Sequence, residues 1–205
     1  IVHAGQACCS SKRFIVQENI YDEFAGRLAE RLKGMKIGDP LDQGSRIGPL
    51  IDERAAQRVE EIVDRTVKAG AYCLCGGRRF DGNFFEPTVL TGVTPAMDIA
   101  QNLEVFGPVF PLIKFKTEEQ AVAIADNCTY GLSSGVISGE IQRAIRVARQ
   151  LDAGNCTING TGLYRTHDMP FGGHRKSGLG TEGLYATLDE FTKTKTYVWK
   201  GAAIR

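Results

Sequence analysis

Long hydrophobic runs are missing from this sequence. No apolar stretch approaches the ~18 residues needed to cross a bilayer, and no signal peptide opens the chain, so no membrane partner is expected. An excess of one charge is missing too. Lys and Arg total 25 against 24 Asp and Glu, a net charge of +1, so neither nucleic acid nor an anionic lipid surface finds an electrostatic footprint. Histidine is scarce, and His3, His167 and His174 fall in no metal-ligand spacing. The six cysteines include no Cys-x-x-Cys pair, which argues against the common zinc frameworks. Nor do they make a spaced disulfide framework. Cys8 and Cys9 are neighbours, Cys73 and Cys75 form Cys-x-Cys, and Cys128 and Cys156 stand apart. This distribution predicts reduced thiols in a reducing, cytoplasmic compartment. The chain begins on Ile1 and reaches its first motif almost at once, which predicts that it is a piece of a longer protein.

What is present is ordinary globular composition, 42% apolar and 24% charged over 205 residues, enough for one large domain with a substantial core. Residues 13–17 read as a strand. Residues 19–35 read as a helix with Ile20, Phe24, Leu28 and Leu32 on one face, Asn19 as its cap and Gly38-Asp39-Pro40 beyond its end. A second helix over about 52–69 puts Val59, Ile62, Val63 and Val67 together and closes at Gly70. A short apolar stretch at 71–75 meets the Gly76-Gly77 turn. Residues 87–90 and 109–115 read as extended, 117–127 as a helix with Thr117 and Gln120 forming a capping box. Residues 132–138 read as a strand, 141–151 as a helix and 156–159 as a strand. Strands alternating with long helices require crossover connections, hence an α/β fold with a largely parallel sheet and helices on both faces. The glycine-rich stretch 160–183 reads as a long structured loop, the kind usually kept for function. Residues 190–200 alternate Thr and Lys before Tyr197-Val198-Trp199 and read as a sheet-edge strand completed by another subunit.

Three blocks carry candidate chemistry. Gly5-Gln6-Ala7-Cys8-Cys9 sets two thiols after a glycine turn; a buried pair of small hydrophobes and a reactive thiol fit equally well from the residues alone. In Leu103-Glu104-Val105-Phe106-Gly107-Pro108, an extended backbone would point Glu104 and Phe106 the same way, so the carboxylate could accept from ribose hydroxyls while the ring packs beside a cofactor. Taken singly, a surface Glu and a core Phe before a strand fit better. The run Pro170 to Gly183 contains Gly-x-Gly-x-x-Gly at Gly178, Gly180 and Gly183. It follows His174-Arg175-Lys176-Ser177 rather than a strand, which excludes a dinucleotide fingerprint.

In this order the three blocks resemble the aldehyde dehydrogenase superfamily, with its Gly-Gln-x-Cys, Glu-x-Phe-Gly-Pro and Pro-Phe-Gly-Gly-x-Lys-x-Ser-Gly-x-Gly-x-Glu motifs. Gly38-Asp39-Pro40, Ile47-Gly48-Pro49 and Glu86-Pro87-Thr88-Val89-Leu90 look like that family as well, so the resemblance covers nearly the whole chain. His3 stands where many members have Asn, Arg175 where Lys is usual, and Thr181 where Arg is frequent. The resemblance implies Cys8 as nucleophile with Cys9 beside it, Glu104 on the nicotinamide ribose, Phe106 beside the nicotinamide, and Phe171 lining the aldehyde tunnel. It implies NAD or NADP as cofactor and a small aldehyde as substrate, with a faint lean toward semialdehydes in Ser11 to Val16 and the closing Val198-Trp199-Lys200.

The implied chemistry is covalent: a thiohemiacetal on Cys8, then a thioester that water hydrolyses, with the Cys8 N–H as one oxyanion donor. In the family, the general base, a second oxyanion donor and most of the cofactor site lie upstream of these motifs. The chain alone is therefore expected to be inactive, since loss of a general base costs ~10²–10⁴ in rate. The expected organisation is a catalytic domain over residues 1–188, a subunit-contact strand and tail over 189–205, and a homo-oligomer. Two alternatives stand beside this reading: a reductase of the same fold that exchanges its thioester with phosphate or CoA, and a non-catalytic interaction domain.

Overall fold

The computed structural model describes residues 1–201; positions 202–205 of the expected tail lie outside the described residues. The elements run β1 (Phe14–Gln17), α1 (Glu18–Lys33), α2 (Glu53–Lys68), β2 (Tyr72–Cys75), β3 (Arg79–Phe80), β4 (Phe84–Phe85) and β5 (Thr88–Val93). They continue with β6 (Val109–Phe115), α3 (Glu118–Asp126), β7 (Tyr130–Gly131), β8 (Ser133–Val136), α4 (Ile141–Ala148), β9 (Asn155–Ile158), β10 (His174–Arg175) and α5 (Leu184–Phe191). The main sheet has the order β1-β6-β5-β2. β1, β6 and β5 are parallel, and β2 joins antiparallel at the edge. β8 and β9 form a separate parallel pair.

Both faces of the main sheet are apolar because parallel strands joined by crossovers are covered on both sides. Neighbouring side chains on a strand point to opposite faces, and the packing follows that alternation. Val89 and Leu112 pack with Tyr21, Ala25, Ala29 and Leu32 of α1. Leu90 and Ile113 pack on the other side with Val59, Ile62 and Val63 of α2 and Ile124 of α3. Fully burying a side chain such as Leu112 contributes about 1.5–3 kcal/mol.

Helix α1 departs from the expected face. Ile20 is 51% exposed, Phe24 and Leu28 are only partly buried, and the buried residues are Tyr21, Ala25, Ala29 and Leu32. The Tyr21 hydroxyl decides the rotation. It donates to the Leu112 carbonyl and accepts from the Gly92 N–H, at 3.0 Å each, so the ring must face the sheet. The alanines below it let the helix approach. Asn19 does not cap α1 either: Gln17 is the N-cap residue, without a side-chain bond. Helix α2 is capped by Asp52, which accepts from the Ala55 N–H, and ends before Gly70 at a φ of 105°. Of its expected face, Val67 is 38% exposed.

Helix α3 carries the reciprocal caps expected of Thr117 and Gln120, displaced by one residue. Thr117 Oγ1 accepts from the Gln120 N–H, and Gln120 Oε1 accepts from the Lys116 N–H. Residues 160–183 form the long loop, tied by paired backbone bonds between Phe171 and Glu182 and by the β7–β10 pairing. Residues 192–200 join no strand among the described residues, and α5, which precedes them, has no counterpart in the sequence reading.

Candidate active site

The Cys8 turn is seated by its glycine. Gly5 has a φ of 79°, and a Cβ there would stand 2.3 Å from the Gly107 carbonyl oxygen. Only a residue without a side chain permits that approach. The contact joins the first and second motifs although about a hundred residues separate them. Gln6 fastens the other side, donating to the His3 and Pro49 carbonyls and accepting from the Ile51 N–H at 2.8 Å. Ala4 beneath them is buried in the main core. Downstream, Arg13 donates to the carbonyls of Ile124 at 2.9 Å and Ala125 at 2.8 Å. It thereby holds the last carbonyls of α3, where a cation is favoured.

Between these anchors Cys8 is exposed and Cys9 half-buried, and all six cysteines are free. The Cys9 thiol is pushed up from its ordinary value, first by burial and then by the neighbouring Cys8. Its thiolate is correspondingly disfavoured. Among the described residues the Cys8 N–H donates to no protein acceptor. That leaves a backbone donor adjoining an exposed thiol.

The second motif is not extended as expected. Phe106 has a φ of 49°, a conformation rarely taken by a non-glycine residue, and Val105 between the two candidates is buried. Arg58 holds the Glu104 carbonyl at 3.0 Å. Glu104 and Phe106 nevertheless converge, because both meet Lys12. The Lys12 ammonium is 3.5 Å from Glu104 Oε1 and 4.5 Å from the centre of the Phe106 ring, and it donates to the Ala7 and Cys8 carbonyls at 3.3 and 3.1 Å. The sequence reading passed over Lys12. Its signal was a cation four residues beyond the candidate nucleophile.

Phe171 belongs to a different set of contacts. Its ring lies under the Arg165 guanidinium at 4.2 Å, and Arg165 also pairs with Glu182 at 2.9 Å. None of these partners belongs to the Cys8 turn. Arg175 binds the carbonyls of Asp126, Cys128 and Asp152, and its Nε lies 3.0 Å from Asp152 Oδ2. It ties the loop to the ends of α3 and α4, so its job among these contacts is structural. Among the described residues no group of three or more His, Cys, Asp or Glu could hold a metal ion. No helix among them is long and apolar enough to cross a membrane.

Residues 1–197 match the aldehyde dehydrogenase family. The chain belongs to that family. It is 42% identical over 202 residues to the mitochondrial succinate-semialdehyde dehydrogenase of Rattus norvegicus, covering 97% of this chain and 38% of that protein. A glyceraldehyde-3-phosphate dehydrogenase from Methanocaldococcus jannaschii, solved in complex with NADP, superposes with a TM-score of 0.88 at 36% identity. That match covers 93% of this chain and 41% of the other. A betaine aldehyde dehydrogenase from Staphylococcus aureus, solved in complex with NAD+, gives 0.88 at 37% identity, covering 92% and 38%. The chain thus spans about two fifths of the length of these aldehyde dehydrogenases.

Proposed function

We propose that this chain is the nucleophile-bearing part of an NAD- or NADP-dependent aldehyde dehydrogenase that oxidises a small aldehyde to a carboxylic acid. One observation carries the reading: the turn bearing the exposed Cys8 meets Glu104 and Phe106 through the Gly5–Gly107 approach and the shared Lys12 ammonium. The Cys8 thiolate attacks the carbonyl carbon, an S–C bond forms, and the carbonyl electron pair moves to oxygen, where the Cys8 N–H stabilises it. Bound, the nicotinamide supplies a two-electron acceptor for the aldehyde hydrogen. The carbonyl re-forms as a thioester on Cys8; water then adds, the S–C bond breaks, and the acid leaves as the thiolate is restored. The Cys9 thiol, raised by burial and by Cys8, supports a neighbouring role rather than a nucleophilic one.

The residues fit the cofactor. Glu104 is about a third exposed, and among the described residues only its Oε1 is engaged, so Oε2 can accept from ribose hydroxyls. The Phe106 ring is partly exposed beside it. Phe171 and Cys9 are assigned to the aldehyde side. Residues 1–188 are assigned to the catalytic domain and 189–205 to subunit contact in a cytoplasmic homo-oligomer. The relatives carry the names of several different aldehydes, so the substrate class stays a small aldehyde.

Two variants of the complete polypeptide test the reading. Cys8→Ala is expected to lower aldehyde-dependent reduction of NAD or NADP by roughly 10³-fold or more while cofactor still binds. Retention of more than a few per cent of the activity would remove Cys8 from the nucleophile role. Glu104→Gln is expected to slow single-turnover hydride transfer about 10- to 100-fold, the worth of a hydrogen bond to a charged group, and an unchanged rate would return Glu104 to a surface role. Product formation that requires neither phosphate nor CoA separates hydrolysis from acyl transfer.

A further inference from the structure

The proposed mechanism leaves one side chain of the cluster without a task. Lys12 is buried apart from 17% of its side chain, whereas lysines usually keep the charged head in water. Its ammonium has three N–H donors and no acceptor, and three oxygens surround it: those of Ala7, Cys8 and the Glu104 carboxylate. The Phe106 ring supplies a fourth electron-rich face at 4.5 Å, within the range of a cation–π contact. The neighbouring Arg13 turns its side chain toward the end of α3 instead. One cation therefore touches the backbone of the nucleophile turn and both residues assigned to the cofactor.

We propose that Lys12 is a positioning residue that fixes Glu104 and Phe106 against the Cys8 turn, a role that rests on the functional reading above. Its engagement of Oε1 orients the carboxylate so that Oε2 faces a polyol hydroxyl. The cation–π contact sets the ring beside the same ligand. The two carbonyl contacts hold the Cys8 turn to that arrangement. Lys12 acts through these groups and takes no proton or bond from the aldehyde. A lysine that merely tied down the turn would affect Cys8 alone, and this difference makes the idea testable.

The test uses the complete polypeptide with Lys12→Met, which keeps the stem without the donors, Lys12→Arg, Glu104→Gln and the Lys12→Met/Glu104→Gln pair. Lys12→Met is expected to raise the cofactor KM about tenfold or more, while iodoacetamide alkylation of Cys8 stays within about twofold of the parent. Lys12→Arg restores most of the cofactor KM. In the Glu104→Gln background, Lys12→Met raises the cofactor KM by clearly less than in the parent, because the carboxylate charge it engages is gone and chiefly the Phe106 contact remains. A cofactor KM within about twofold of the parent for Lys12→Met, or full additivity in the pair, overturns the proposal. So does a loss confined to Cys8 alkylation. If Lys12→Met does not unfold cooperatively, Lys12→Gln replaces it against Lys12→Arg with the same criteria. A parent that oxidises no aldehyde with either cofactor overturns the functional reading, and this proposal with it. A parent that is active, that Cys8→Ala inactivates and that ignores Lys12→Met overturns this proposal alone.

Discussion

The Cys8 side of the molecule rests on the hydrophobic core, whereas the Phe171 side is fastened by polar contacts at an exposed surface. Ala4, Val105 and Val109 anchor the first region in the main core. Beyond residue 159 the only buried position among the described residues is Gly162, and the loop is held by Arg175, by Arg165 and by the Phe171–Glu182 bonds. Salt screens exposed ion pairs, whereas it does not screen apolar burial. Regions with few buried contacts also open locally at lower free energy. A rigid Cys8 turn and a looser 160–183 loop follow from how each is held.

The largest effect is expected in the core beneath the Cys8 turn. Phe85 is 1% exposed in the same core cluster as Ala4 and Val105, so Phe85→Ala is expected to cost about 3–5 kcal/mol in urea unfolding. The amides of residues 5–12 should then lose protection from hydrogen exchange together with the core. A loss well below 1 kcal/mol would detach the Cys8 turn from that core. Next comes Gly5→Ala, where a left-handed φ and the Gly107 oxygen both oppose a Cβ. It is expected to cost roughly 2–4 kcal/mol and to change Cys8 alkylation while residues 170–182 keep their exchange rates. A parental alkylation rate would show that the Gly5–Gly107 approach does not seat the nucleophile.

Weaker effects belong to the polar side. Arg175→Met removes bonds to Asp126, Cys128 and Asp152 and is expected to cost roughly 1–2 kcal/mol. Its signature is faster exchange confined to residues 170–182, with residues 5–12 unchanged; global destabilisation instead would erase the contrast between the regions. The smallest effect is at the tail. Trp199 is 86% exposed, so Trp199→Ala should leave the unfolding midpoint of the isolated chain within about 0.5 kcal/mol of the parent. Sedimentation of the same variant then reports whether residues 189–205 bind another subunit.

Much of the core-bound region was legible in the sequence, because an amphipathic period and capping chemistry are local. The strand Val109–Phe115, the helix capped by Thr117 and the apolar side of α2 through Val59, Ile62 and Val63 appear there as read. The face of α1 was not legible, since the Tyr21 hydroxyl bonds across the fold to Leu112 and Gly92. The left-handed Phe106 and the pairing of Gly5 with Gly107 depend on contacts between segments far apart in sequence. Lys12 escaped for the same reason: its partners Glu104 and Phe106 are remote until the sheet forms. Helix α5 has no buried residue, so its pattern carries no trace of a core.

In the proposed reaction Cys8, held on the core-bound side, takes the acyl group. Acid-quenched turnover of the complete enzyme with an aldehyde and NAD or NADP, followed by peptide mass spectrometry, tests it most directly. A thioester mass increment is expected on Cys8, and it disappears in Cys8→Ala. An increment on Cys9, or turnover with no acyl adduct on either cysteine under conditions where deacylation is slowed, would contradict it.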